Sequence, residues 1–362
     1  MCIRDSDNSG YIRESSHCFS IIPDNTFDST LQFKIGSRWV LDNGDTYECS
    51  DVTVNAAVWT LLNNNDTYWT SGSTGNYSIK ANNDSGLDAT GDYSYAEGAA
   101  TTASGIYSHA EGFSTIASGQ TSHAEGGATL ASGDVSHAEG ENTTAYGNRS
   151  HAEGNLTTAI GDNSHAEGYL TIASGSTSHA EGNTTIASGS YSHAEGSNTI
   201  ASNTNSHAEG YTTTASGDVS HSEGNETTAS GDYSHSEGDH TIASGQTSHA
   251  EGTYTTASGD YSHAEGYQTQ ASNYASHAEG QTTNASGIAS HAEGYSSSAN
   301  GYASHAEGQN TQATNTSAHA EGESTQASGE ISHAEGKFSV ASGNVSHAEG
   351  YSSSASGFAS HA

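Results

Sequence analysis

From about residue 87 onward, small and larger residues alternate in short bursts, each closed by glycine and two variable positions. Ser108-His109-Ala110-Glu111-Gly112 is one burst; Thr115-Ile116-Ala117-Ser118-Gly119 is the next, seven residues later. Alternation with a period of two is the pattern of a strand, and the glycine punctuation marks turns. Two bursts make one unit, S-H-A-E-G-x-x-T-x-A-S-G-x-x. Of the 21 histidines, all but His17 and His240 recur at intervals of fourteen from His109 to His361. The glutamate two positions on recurs without exception from Glu97 to Glu349, and the second-burst alanine from Ala103 to Ala355. An earlier copy starts at Tyr95 and a half copy at Leu87.

Each unit therefore predicts strand, tight turn, strand, tight turn. Identical units stacked in register make a parallel β-solenoid. The parity predicts Ser, Ala and Gly of the first strand facing one way and His and Glu the other, with Thr and Ala of the second strand facing inward. The second-burst glycine is replaced only by asparagine, at Asn203, Asn273 and Asn315. Glycine and asparagine tolerate a left-handed backbone, so Gly105, Gly119, Asn203, Asn273 and Asn315 are expected to be turn positions of positive φ. An interior of Ala, Ser and Thr buries little apolar area per coil, which makes a lone roll marginal and predicts self-association.

Composition on its own points elsewhere. Leu, Ile, Val and Phe are scarce in the 362 residues, and 42 acids against 7 bases give a net charge of −35. That profile belongs to disordered chains, but disordered chains do not keep a fourteen-residue register. The charge excludes a nucleic-acid partner. No apolar run reaches the roughly 18 residues of a membrane helix, so direct membrane insertion is not expected. Cys2, Cys18 and Cys49 have no metal-finger spacing.

The first 62 residues differ in kind and read as a small β module. They hold Trp39 and Trp59, with a strand at 35–41, a turn signal at Asp42-Asn43-Gly44-Asp45 and a returning strand at 47–54. The stretches Tyr47–Asp51 and Ala56–Thr60 resemble a small β module of phage tail proteins. Residues 63–86, rich in Asn, Ser, Gly and Thr, read as a linker, and 87–362 as a β-roll of about 19 coils. Met1–Ser6 reads as an assembly-derived leader, and the stop within a repeat at His361-Ala362 suggests a fragment of a longer fibre.

The paired S/T-x-A-x-G halves resemble the head repeats of YadA-like trimeric autotransporter adhesins, over about residues 85–362. The resemblance implies an all-β, left-handed parallel β-roll with two short strands per coil, assembled as a homotrimer. The S-H-A-E-G form is also similar to repeats of some bacteriophage tail fibres and spikes. One departure stands out: the family usually has apolar residues where this chain has His and Glu. The function implied is non-enzymatic attachment by an extracellular fibre, on a virion tail or a bacterial surface. Its partners would be further copies of itself and a host-surface protein, matrix protein or glycan. The alternative is a purely mechanical spacer before a distal receptor-binding or glycan-hydrolase tip.

Several features invite chemistry. Adjacent Ser and His, as in Ser136-His137, cannot form a dyad, because strand neighbours point to opposite faces. His-x-Glu puts both side chains on one face and could supply metal or anion ligands. The reading adopted is a structural interface ladder, His109, Glu111, His123, Glu125, His137, Glu139, His151, Glu153 and their successors, with no catalytic residue, cofactor or metal assigned. Stacked glutamates repel, and the repeat region has only Arg149 and Lys337 as fixed bases, so histidine protonation, bound cations or water must offset the charge; where histidine does so, its pKa is expected to be raised. The Thr ladder shares the parity of the buried alanines, which argues against an exposed ice-binding row. Tyr169, Tyr211, Tyr267 and Tyr295, at turn positions, are candidate surface contacts.

Overall fold

A computed structural model describes residues 69–81 and 86–362. Ahead of them it describes the strands Asp5–Ser6, Ile12–Arg13, Arg38–Val40, Thr46–Asp51 and Val58–Leu61. The described residues contain strands and turns and no α-helix. The chain divides into two compact units, residues 1–71 with 79–84, and residues 72–78 with 85–362.

In the first unit, Thr46–Asp51 is the middle strand of three. It pairs antiparallel with Arg38–Val40 (Trp39 opposite Tyr47) and with Val58–Leu61 (Cys49 opposite Trp59). The strands expected on either side of the Asp42–Asp45 turn are present; the turn itself lies outside the described residues. Asp5–Ser6 pairs with Ile12–Arg13. The expected linker is partly structured: Trp69–Ser71 and Ile79–Ala81 form an antiparallel pair.

The second unit is a parallel β-solenoid of about 20 turns, each of about 14 residues. Each full coil has a long strand, such as His109–Phe113, and a short one, such as Ile116–Ala117. Like residues face like residues: His109 pairs with His123, Ala110 with Ala124 and Glu111 with Glu125, and Ala117 with Ala131 in the second sheet. Its first turn falls within the expected linker, where Ser78 Oγ donates to the Gly75 carbonyl at 2.8 Å as its equivalents do in later coils.

Ser, Ala and Thr point inward as the parity predicts. The strand alanines Ala89, Ala96, Ala103 and their equivalents through Ala348 are fully buried, and the largest fully buried side chains are threonines. Most serines that open the long strand spend their hydroxyl on the turn carbonyl three residues back, as Ser136 Oγ does on Gly133 at 2.7 Å. Most inward threonine hydroxyls, Thr171 among them, make no hydrogen bond. Where serine replaces the first-strand alanine the defect is repaired, since Ser222 pairs with Thr227 at 2.8 Å and Ser236 with Thr241 at 2.7 Å.

The turns correct the expectation. Gly105, Gly119, Asn203, Asn273 and Asn315 do not have positive φ. The left-handed residue lies two positions later, at Tyr107, Thr121, Asn205, Ala275 and Ser317, with φ between 51° and 59°. Gly105 to Ser108 is a four-residue turn closed by Ser108 N–H to Gly105 carbonyl, and positive φ at the third residue is the mark of type II. The left-handed residue is free to be Tyr, Val or Thr because its flipped amide is used. Thr121 N–H donates to Ile106 of the preceding coil, whereas strand amides such as His109 N–H donate to the following coil. Glycine is needed at the first turn position for space: a Cβ on Gly105 would lie 1.9 Å from the Gly119 carbonyl oxygen. Asparagine fits there by rewiring. Asn273 loses the amide bond to the next coil, donates from Nδ2 to Ser286 at 3.0 Å and accepts from the Tyr274 amide at 2.9 Å. A second correction concerns the glycine after Glu, expected inward. Gly112 is exposed, with φ 109°, and a Cβ there would lie 2.1 Å from the Gly126 oxygen.

These contacts separate two kinds of turn position. Gly231→Ala should cost about 1–3 kcal/mol, because the methyl meets the Gly245 backbone. Tyr233→Gly should change stability by less than about 1 kcal/mol, since relief of left-handed strain is offset by chain entropy. Thermal unfolding of the two variants checks the assignment; equal effects would contradict it. Ser222→Ala should cost about 1 kcal/mol by stranding the Thr227 hydroxyl, while Ala166→Ser should be neutral or stabilising.

Candidate functional site

The feature that sets this roll apart is the outward face of the long strands. Because each residue lies over its equivalent, the histidines form one continuous stack from His109 to His347. Ring centroids are 4.6 Å apart at His109–His123 and 4.8 Å at His333–His347, and the planes are nearly parallel. Tyr95 opens the stack, edge-on to His109 at 4.7 Å, and donates its hydroxyl to Glu97 at 2.8 Å. The glutamates run beside the rings. Nε2 of His109, His123, His137 and His151 lies 3.5, 3.7, 3.5 and 3.5 Å from Oε2 of Glu111, Glu125, Glu139 and Glu153. These eight residues are thus brought together as the sequence suggested, and the imidazole and carboxylate side chains remain about one-third exposed, 35% and 36% for the His109–Glu111 pair. Beside the glutamates, the side-chain-free glycines leave an open groove of about 640 Å³ lined by Glu195, Glu209, Glu223, Glu237 and Glu251.

The electrostatics reverse the expectation for histidine. Burial, and then the neighbouring rings of the stack, lower the pKa of His137, His165, His221 and His319. The nearby carboxylates raise it but do not prevail. Stacking like on like puts each imidazole's nearest competitor for a proton directly above and below it. The glutamates instead manage their charge among themselves. Hydrogen bonds with Glu209 and Glu237 push Glu223 up to about 7, and hydrogen bonds with Glu237 and Glu265 push Glu251 up to about 7. Glu209 and Glu237, receiving those bonds, are lowered. A proton shared between successive carboxylates accounts for the alternation.

The remaining candidates are placed as follows. Tyr169, Tyr211, Tyr267 and Tyr295 are exposed and lie on separate coils. Thr115, Thr129 and Thr143 are buried, so they present no row to solvent. Ser136 is buried with its hydroxyl committed to Gly133, away from His137. One cluster escaped the sequence reading: His240 Nε2 lies 2.9 Å from Glu226 and Nδ1 3.0 Å from Asp239, with Tyr254 packed on the ring at 4.7 Å. Its signal was there, since Glu226, His240 and Tyr254 are fourteen residues apart at one turn position.

Residues 124–150, 152–178, 166–192, 180–202 and 236–262 match the family model of the YadA head domain repeat. The match lies wholly within the solenoid and bears out the resemblance seen in the paired S/T-x-A-x-G halves. No curated protein matches the chain. Repeat and fold together define a parallel β-solenoid that carries repeats of the YadA head type.

The pKa directions set a pH response. The imidazoles of lowered pKa, His137, His165, His221 and His319 among them, stay neutral in the fold where the unfolded chain, near pH 6.5, takes up protons, so their contribution is present above about pH 6.5 and lost as pH falls through the folded pKa. The lowered Glu209 and Glu237 act in the same direction at lower pH, and the raised Glu223 and Glu251 oppose it between about pH 4.5 and 7. Melting temperature should fall from pH 7 to pH 5; a rise on acidification would restore the histidine-compensation idea. Glu223→Gln should raise the melting temperature at pH 8, where the native carboxyl must ionise, and lose that advantage at pH 5.

Proposed function

We propose that this chain is a segment of a non-enzymatic, homotrimeric, extracellular fibre that attaches to a host or cell surface, as part of a virion tail or a bacterial surface. The observation that carries the reading is the match of the solenoid to the YadA head repeat. Three features support it. The core of Ala, Ser and Thr is thin, so further burial must come from other copies. The His/Glu face keeps one fixed geometry from coil to coil while the turn positions vary, as a shared inner surface and a free outer one would. The exposed Tyr169, Tyr211, Tyr267 and Tyr295 offer flat, amphipathic side chains to a protein or glycan. The second reading, a mechanical spacer, is favoured by the repetition itself: at a rise of 4.6–4.9 Å per ring in the stack, the coils extend about 90 Å with little change of section.

Native mass measurement of the full chain tests the assembly. Three copies are expected, and a stable folded monomer at micromolar concentration would overturn it. Attachment is tested by retention of cells or glycans on the immobilised chain. Retention that drops when the four tyrosines are replaced by alanine supports the attachment reading; a trimer that retains nothing would assign the segment to the spacer role.

A further inference from the structure

Along the ladder, imidazole Nε2 atoms are shielded from solvent yet make no hydrogen bond. Their nearest acceptors are glutamate oxygens that stand too far away. His305 Nε2 is 3.4 Å from Glu293 Oε1 of the preceding coil and 3.6 Å from Glu307 Oε2 of its own. His235 lies 3.6 and 3.9 Å from Glu223 and Glu237, and His249 3.8 Å from both Glu237 and Glu251. An N–H···O hydrogen bond closes at 2.7–3.2 Å. Two ligand atoms on a tetrahedral zinc-class ion, each bonded at 2.0–2.2 Å, are about 3.4 Å apart. The nitrogen and the two carboxylate oxygens are therefore spaced as the edges of a coordination polyhedron. Candidate ligand atoms also gather elsewhere along the stack in sets of two imidazoles and one carboxylate: in His123, Glu125 and His137 they lie within 4.8 Å of one another.

We propose that the His/Glu ladder binds divalent cations of the zinc class, each held by one imidazole Nε2 with the carboxylates of its own and the preceding coil, as by His305, Glu307 and Glu293. Neutral imidazole with carboxylate suits zinc, cobalt or nickel better than calcium or magnesium, which take oxygen alone. Charge sets the occupancy. One dication neutralises two carboxylates, and His235 and His249 share Glu237, so alternate coils fill and the full chain takes up about nine ions. The groove beside the glutamates gives the ion its entry and leaves a fourth position for water. All ligands of a site belong to one chain, so the proposal stands or falls separately from the trimer.

The test is zinc uptake by the chelator-treated full chain, counted by native mass measurement, which reports copy number and metal content independently. Uptake of about one ion per two coils is expected, with a rise in melting temperature that chelator reverses. Cobalt(II) should give the visible bands of four-coordinate nitrogen and oxygen ligation. Glu293→Gln with Glu307→Gln should lower the count by one ion per chain and leave the apo melting temperature within a few degrees. Zinc uptake that persists unchanged in this double variant would overturn the proposal, since it would mark binding by histidine alone. Should the variant fail to fold, the native chain still decides: displacement of zinc by excess calcium or magnesium, or uptake of fewer than about two ions, would overturn it equally.

Discussion

Everything in this protein depends on how closely one coil lies upon the next. Backbone hydrogen bonds run from strand amides to the following coil, and at the turns two points of contact are so tight that a Cβ meets backbone unless the turn is rewired, as at Asn273. Gly105 and its equivalents pack on the carbonyl of the next coil's glycine, and so do Gly112 and its equivalents. The left-handed turn residues complete the arrangement by sending their amides the other way, to the coil before. Each such residue is strained, yet the strain recurs at every turn because each flipped amide gains a hydrogen bond. The glycines and the left-handed residues are thus distinct devices serving one spacing.

That spacing dictates what the surface can be. With every coil in register, any residue type at a fixed position becomes a column of itself. For alanine the result is a dry, narrow core; for histidine, a continuous ring stack; for glutamate, a line of like charges. The first two are favourable or neutral in a small space. The third is not, and with only Arg149 and Lys337 as fixed bases in the repeats, the ladder must share protons or take up cations. The outward face therefore carries titratable columns, whose charge responds to pH.

The chain's repetition made much of this legible. The fourteen-residue register, the strand–turn–strand–turn coil, the inward Ala, Ser and Thr and the outward His and Glu all follow from alternation and from glycine spacing, which are local rules. Two of the three strands of the first unit, Arg38–Val40 and Thr46–Asp51, were likewise visible on either side of a turn signal. The antiparallel pair at 69–71 and 79–81 was not, hidden in a composition that reads as linker.

What the sequence by itself determined was the period, the parity and the identity of each column. Tertiary structure alone decided which residue carries the left-handed φ and why glycine is required. Glycine and asparagine at Gly105 and Asn203 suggest a backbone preference, whereas the cause is a carbonyl of the next coil, fourteen residues away. It also decided the sign of the histidine pKa shifts. In sequence each histidine has a glutamate two residues off, which predicts a raised value. In space it is also flanked by histidines above and below, and at His137 and His165 burial together with those rings outweighs the carboxylates. Both differences have one physical origin: contacts between coils join residues fourteen apart and are invisible to rules that look only at near neighbours along the chain.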